Sequence, residues 1–258
     1  MAYKFAGSIL AAFFCLFVVC SEASAAIHRE ASISIPWGYV VQGFCYNSSS
    51  HRFLMAAKTP QDTGPEARQI IMVIHPDTFK REQTYLFHDL GHINTMTYQP
   101  EENAIYIATG GAKWHEYAKV DARSMKVLER KTCPKDFGAM AYDTARKEYV
   151  QYSLRKGTYD ISRYDKNMRP KKGLIVKTVY NVGNGLTAHD GTLLMFTLPL
   201  KGKEYGGLEV IDRKGNIVTS LQIPREIELE DADYVNGKFY MAANDWKERK
   251  AAIYTYEP

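Results

Sequence analysis

An all-β fold, a five-bladed β-propeller of four-stranded antiparallel blades, is what the sequence predicts. Three observations predict it. A hairpin motif recurs five times, its copies lie about 45 residues apart, and an unassigned strand near the N-terminus matches one missing from the last copy.

The hairpin reads VQGFCYNSSSHRFLMA around Tyr46, INTMTYQPEENAIYIA around Tyr98 and FGAMAYDTARKEYVQY around Tyr142, and these three align without a gap. Shorter versions follow as GNGLTAHDGTLLMF around Ala188 and EDADYVNGKFYMA around Tyr234. Each is an alternating strand, a turn and a second alternating strand. The turns at Asp190-Gly191 and Asn236-Gly237 carry the residue pairs that favour tight hairpins.

The anchors are separated by 52, 44, 46 and 46 residues. After each of the first four hairpins comes a strand ending in a turn: MVIHPDTFK, AKVDARSMK, SRYDKNMRP and EVIDRKGNI, with His75, Asp121, Asp165 and Asp212 at the matching site. A further strand follows, as at Met125 to Lys131 and Ile217 to Ile223, which makes four strands per unit. The fifth unit stops at its third strand, Ala252 to Tyr256, while Glu30 to Ile35 is left over at the other end. Letting that strand complete the last blade closes the ring and hides the sheet edges. A β-sandwich of similar strand count explains neither the spacing nor the spare strand.

Side-chain size supports blade-on-blade packing. One face of the first strands carries Phe44, Tyr46, Met96, Tyr98, Met140, Tyr142, Leu186 and Tyr234. The other carries small residues such as Gly43, Cys45, Thr95, Ala139 and Gly185, but the last unit places Asp231 and Asp233 in those slots.

Residues 1–25 read as a signal peptide, with Lys4, an apolar run from Ile9 to Cys20 and an Ala23-Ser24-Ala25 cleavage signal. A membrane anchor is the alternative, though the run is short of the roughly 20 residues a spanning helix needs. Residues 26–258 then form a single propeller domain with no transmembrane anchor, expected outside the cytoplasm, secreted or periplasmic, and monomeric. The net charge of +4 is spread along the chain without a basic block, so no nucleic-acid partner is expected. Cys45 and Cys133 remain after cleavage, either bridged or as two thiols.

The QGFCY, GHINTMTY and ELEDADY stretches, each leading into an Ile- or Tyr-rich strand, resemble the broad superfamily of bacterial secreted β-propellers with NHL-like or quinoprotein-like repeats. The resemblance covers the whole mature chain. It implies blades rather than one chemistry, because such propellers host lectins, glycosidases, lyases and scaffolds alike.

In a propeller the first strands begin at one mouth of the central channel, where ligands usually bind. That face nominates Gln42, Asn94, Gly138, Asn184 and Glu230, one per blade, with His92 beside them. Trp37, Tyr39, Trp114, His115, Tyr205 and Trp246 map to the same face. Aromatic rings beside amides and acids grip sugars, although aromatics also close blade rims. The expected ligand-binding set is Gln42, His92, Asn94, Trp114, His115, Asn184, Glu230 and Trp246, for a glycan or cell-envelope component.

The acidic run from Glu226 to Asp233 leaves three readings open. Glu230 with Asp231 or Asp233 has the paired carboxyls that glycoside cleavage requires. Asp231 and Asp233 are also candidate oxygen ligands for Ca²⁺. The third reading is ion pairing with Arg225, Arg249 or a basic residue of a neighbouring blade. His88, Asp89 and His92 have zinc-ligand chemistry but lie in a loop before a strand, where a four-residue spacing does not align them. No catalytic serine elbow, phosphate loop or paired Cys-x-x-Cys is present. A protein-interaction scaffold completes the alternatives.

Overall fold

The turns are the local events that make each blade. Asp190 and Gly191 adopt φ of 47° and 81°, and Asn236 and Gly237 adopt 50° and 93°, the left-handed pairs a two-residue hairpin requires. The recurrent acids do a second job. Asp121 Oδ1 accepts the N–H of Ser124 at 2.7 Å, Asp165 Oδ1 that of Asn167 at 2.8 Å, and Asp212 Oδ1 that of Asn216 at 2.8 Å. In the first unit His75 Nδ1 accepts the N–H of Asp77 at 3.2 Å at the same place. These side chains satisfy turn amides that the ladder leaves unpaired.

The computed structural model describes residues 27–61, 68–88, 90–110, 116–132, 137–180, 182–199 and 203–258. The expected signal peptide, Asp89, Trp114, His115 and Cys133 lie outside them. Blade one comprises β2 (Val40–Asn47), β3 (Arg52–Lys58), β4 (Gln69–Ile74) and β5 (Arg81–Phe87). Blade two is β6 (His92–Gln99), β7 (Ala104–Gly110), β8 (Glu116–Asp121) and β9 (Val127–Thr132). Blade three is β10 (Ala139–Asp143), β11 (Glu148–Arg155), β12 (Thr158–Asp165) and β13 (Pro170–Lys177). Blade four is β14 (Gly183–His189), β15 (Thr192–Thr197), β16 (Tyr205–Ile211) and β17 (Ile217–Pro224). Blade five takes β18 (Ile227–Val235), β19 (Lys238–Asp245) and β20 (Lys250–Tyr256) from the C-terminal end and β1 (His28–Ile33) from the other. All pairings are antiparallel. The protein is therefore an all-β, five-bladed propeller, with no helix among the described residues.

The spare N-terminal strand closes the ring. Ala31 pairs with Ile253 and Ile33 with Ala251, so the outer edge of β20 is covered. Arg29 reaches Asp245 at 3.2 Å and Glu248 at 2.9 Å, and Thr255 donates to Glu30 at 2.8 Å. Ends separated by the whole chain are thus joined by one ladder and a few polar contacts.

The core is divided among the five junctions between blades. At the seam of blades five and one, Phe44, Phe53 and Met55 pack on Ile33, Ala242 and Ile253. At blades two and three the packing is Tyr106, Tyr117, Tyr142 and Tyr149. Each such side chain contributes about 1.5–3 kcal/mol on burial. Small residues on the facing inner strand make this approach possible. A Cβ on Gly43 would meet Met96 Cγ at 2.7 Å, and one on Gly185 would overlap the Glu230 carbonyl oxygen.

Candidate functional site

Four of the five inner strands carry a β-bulge near their start. The register shifts between Val41 and Phe44 in β2, Ile93 and Thr95 in β6, Gly183 and Leu186 in β14, and Leu229 and Asp231 in β18. Gln42, Asn94, Asn184 and Glu230 all fall in these bulges. An unpaired residue re-aims its side chain away from the alternating faces of the sheet. In blade three the equivalent residue is Gly138, whose N–H bonds Tyr152 O at 2.7 Å.

These side chains are tied to neighbouring blades. Asn94 donates to Gly138 O. Asn184 Nδ2 donates to Leu229 O at 2.7 Å and to Glu230 Oε2 at 3.0 Å. Asn244, at the end of β19, donates to Glu230 Oε1 at 2.7 Å and accepts the N–H of Val41 at 2.8 Å. Gln42 turns back to its own strand and donates to Val41 O. Glu230 is only 2% exposed. Burial holds its carboxyl well above the usual range, the charge of Glu228 adds to this, and the two asparagine amides pull the other way.

The acids of the small-residue slots face blade one. Asp231 Oδ2 accepts the N–H groups of Phe44 and Met96, each at 2.8 Å, and Asp233 Oδ2 accepts that of Tyr46 at 2.7 Å. Blade two makes the same lateral bond with hydroxyls: Thr95 Oγ1 accepts from Met140 and Thr97 Oγ1 from Tyr142. Burial raises both carboxyls, Asp231 well above its ordinary value and Asp233 to about 6. Cys45, a buried free thiol between them on β2, is pushed up by burial and by both acids. Among the described residues, no three His, Cys, Asp or Glu side chains cluster as a metal site.

Above this seam opens a cavity of about 470 Å³ on the face where the inner strands begin. Trp37, Tyr39 and Trp246 line it with Asn244, Arg249 and Lys250. Trp37 sits in the loop after β1 and is 99% exposed, and Trp246 is 48% exposed. The indole N–H of Trp246 donates to Glu228 Oε2 at 2.9 Å. Burial raises the Glu228 carboxyl, with the Trp246 and Asn244 bonds opposing it.

The structure brings Trp246 and Glu230 together through Asn244 and adds Trp37 and Tyr39 from the sequence-nominated face. It leaves Tyr205, at the start of β16, outside this cavity. His92 opens β6, half-buried, on the far side of blade one. Two contributors were not singled out from sequence, Glu228 and Asn244. Glu228 lies inside the acidic run and Asn244 inside the NDW stretch that ends β19, but only the pairing of β18 with β19 and the bond between Asn244 and Val41 of blade one show their relation to the mouth.

Fold and site together define a five-bladed propeller whose channel mouth carries polar side chains that bridge some of its blades, with an aromatic groove where the ring closes. No protein-family model matches the chain, and no curated protein matches it. Among solved structures, the chain is similar to a luciferin-regenerating enzyme, with 10% identity and a TM-score of 0.53 over 90% of this chain and 95% of that one. It is also similar to a chain in a nidogen/laminin complex, with 13% identity and a TM-score of 0.52 over 89% and 84%. The hydrazine synthase of Kuenenia stuttgartiensis matches at 12% identity with a TM-score of 0.47, over 83% of this chain. The chain spans 57% of that protein's length. At such identities the likeness is one of fold alone.

Proposed function

We propose that this protein is an extracytoplasmic, non-catalytic binding propeller that holds a glycan or cell-envelope component in the aromatic groove between blades five and one. One observation carries the reading: Trp37 stands almost wholly in solvent beside Trp246 and Tyr39, above a mouth lined by amides. Large exposed aromatics gain by covering an apolar face, and sugar rings supply such faces together with hydroxyls for the exposed Arg249 and Lys250. The leader-like first 25 residues support export.

A glycan screen on the mature protein, with product analysis, tests this. Retention without cleavage, lost in Trp37→Ala/Trp246→Ala, is the expected result. Unchanged retention in that variant overturns the assignment of the groove.

A second reading, a glycan-cleaving enzyme, is favoured by the Glu228–Glu230 pair beside Trp246, since two carboxyls of raised pKa suit general acid catalysis. Released oligosaccharide, abolished by Glu230→Gln or Glu228→Gln, would establish it. The neighbours of the same fold include both an enzyme and a chain from a protein–protein complex, so a silent glycan screen would shift the reading to protein partners.

A further inference from the structure

A second groove of different chemistry lies on the opposite face of the ring, between blades three and four. Its cavity, about 440 Å³, is built by the β10–β11, β14–β15 and β16–β17 turns and the start of β13. Cations dominate its lining.

Glu148 organises them. Its side chain is 1% exposed, and its Oε1 accepts from Arg146 Nε at 2.7 Å and from Arg163 Nη1 at 3.0 Å. Its Oε2 accepts from Lys171 Nζ at 2.6 Å. Burial opposes ionisation there, but Lys171 and Arg146 hold the carboxyl below its usual range. One carboxylate cannot neutralise three cations, so the cluster keeps a positive excess.

The surrounding carboxylates keep their charges and offset it only in part. Arg213 pairs with Asp190, while Lys172 and Lys214 meet no carboxylate among the described residues. Asp143 is occupied by the amides of Asp190 at 3.0 Å and Gly191 at 2.6 Å. Asp165 and Asp212 are turned onto the amides of their own turns. Cations held close together repel, and an incoming anion relieves that repulsion.

The turn at Gly191 shows that the convergence is built into the backbone. Gly191 has φ of 81°, and a Cβ there would lie 2.8 Å from Arg213 Cγ and 3.4 Å from Arg146 Cδ. Both arginine stems cross the space a side chain would fill. Guanidinium forks bind tetrahedral oxyanions bidentately, and flanking ammonium groups add point charge.

We propose that this groove binds a phosphate or sulfate group, independently of the aromatic groove on the other face. The oxyanion comes either free or as part of a phosphorylated polymer, and the two sources are separable.

The test is calorimetric titration of the mature protein with inorganic phosphate, sulfate and poly(glycerol phosphate), at about 25 mM and about 300 mM salt. The comparison variants are Lys172→Glu/Lys214→Glu and the milder Lys172→Gln/Lys214→Gln, all at exposed positions, with thermal melts to check folding. Binding that weakens with salt and falls at least about tenfold in the Glu variant is expected. Binding of the small ions assigns the groove to the free oxyanion, and binding of the polymer alone assigns it to a phosphorylated chain. Trp37→Ala/Trp246→Ala should leave either unchanged. Wild-type protein that binds no probe at low salt, or folded Lys variants that bind as tightly as wild type, overturns the proposal.

Discussion

Asp231 Oδ2 accepts the backbone N–H of Met96 at 2.8 Å, joining the last blade to the second across the inner strand of the first. The same oxygen takes the N–H of Phe44, so one carboxylate on β18 satisfies a bulge-side amide on each of the next two blades. The ring is therefore sealed at its centre by a side chain as well as at its rim by β1.

Removing that acceptor should cost stability more than removing its charge. Asp231→Ala leaves two buried N–H groups unpaired, at about 1–3 kcal/mol each. Asp231→Asn keeps an acceptor oxygen and should lose less than half as much. Urea unfolding of both variants checks this, and equal losses would show that the two amides find other partners.

The pH dependence of stability should carry the signature of Asp233. Its carboxyl titrates at about 6 in the fold, against an ordinary value near 4 in the unfolded chain. Between those values the folded state holds more protons than the unfolded state, so the contribution of Asp233 is fully present below about pH 4 and is lost as pH rises through about 6. The full effect is at most about 3 kcal/mol. Melting curves across this window should flatten in Asp233→Asn; an unchanged slope would assign the effect to another group.

Gly185→Ala should be among the most damaging single changes. Its Cβ would overlap the Glu230 carbonyl oxygen and sit 2.8 Å from Phe196 Cδ2, both held by the blade-four to blade-five junction. Overpacking of this kind costs typically 1–3 kcal/mol, and the rigid backbone contact places this case at the upper end. A fall of several degrees in Tm is the expected readout.

Trp37→Ala should separate binding from folding. The side chain is 99% exposed and makes no ring contact or hydrogen bond among the described residues, so its removal should change stability by less than about 0.5 kcal/mol. Loss of glycan retention at unchanged Tm would make Trp37 a ligand contact. A large drop in Tm would instead show that it braces the loop after β1.

Much of this architecture is legible in local patterns. Alternating large and small residues mark the inner strands, Asp190-Gly191 and Asn236-Gly237 mark hairpins, and the recurring Asp121, Asp165 and Asp212 mark capped turns. These signals are readable because strand alternation and turn chemistry act within a few residues. The last blade's acids are visible as an anomaly, but their role is not. Asp231 and Asp233 could be read from sequence as catalytic, metal-binding or ion-paired, and in the fold they bond backbone amides of β2, β6 and β18 itself.

What the sequence determined by itself is the repeat, the strand count and the way the ring closes. Those follow from periodicity and from the physical need to cover sheet edges. Tertiary structure alone decided which residues of different blades meet. Asn184 of blade four reaches Glu230 of blade five, Asn244 of blade five reaches Val41 of blade one, and Arg213 and Arg146 converge over Gly191. Such contacts depend on the angle and distance between neighbouring sheets, which side-chain volumes at the five junctions set together and no short stretch of chain encodes.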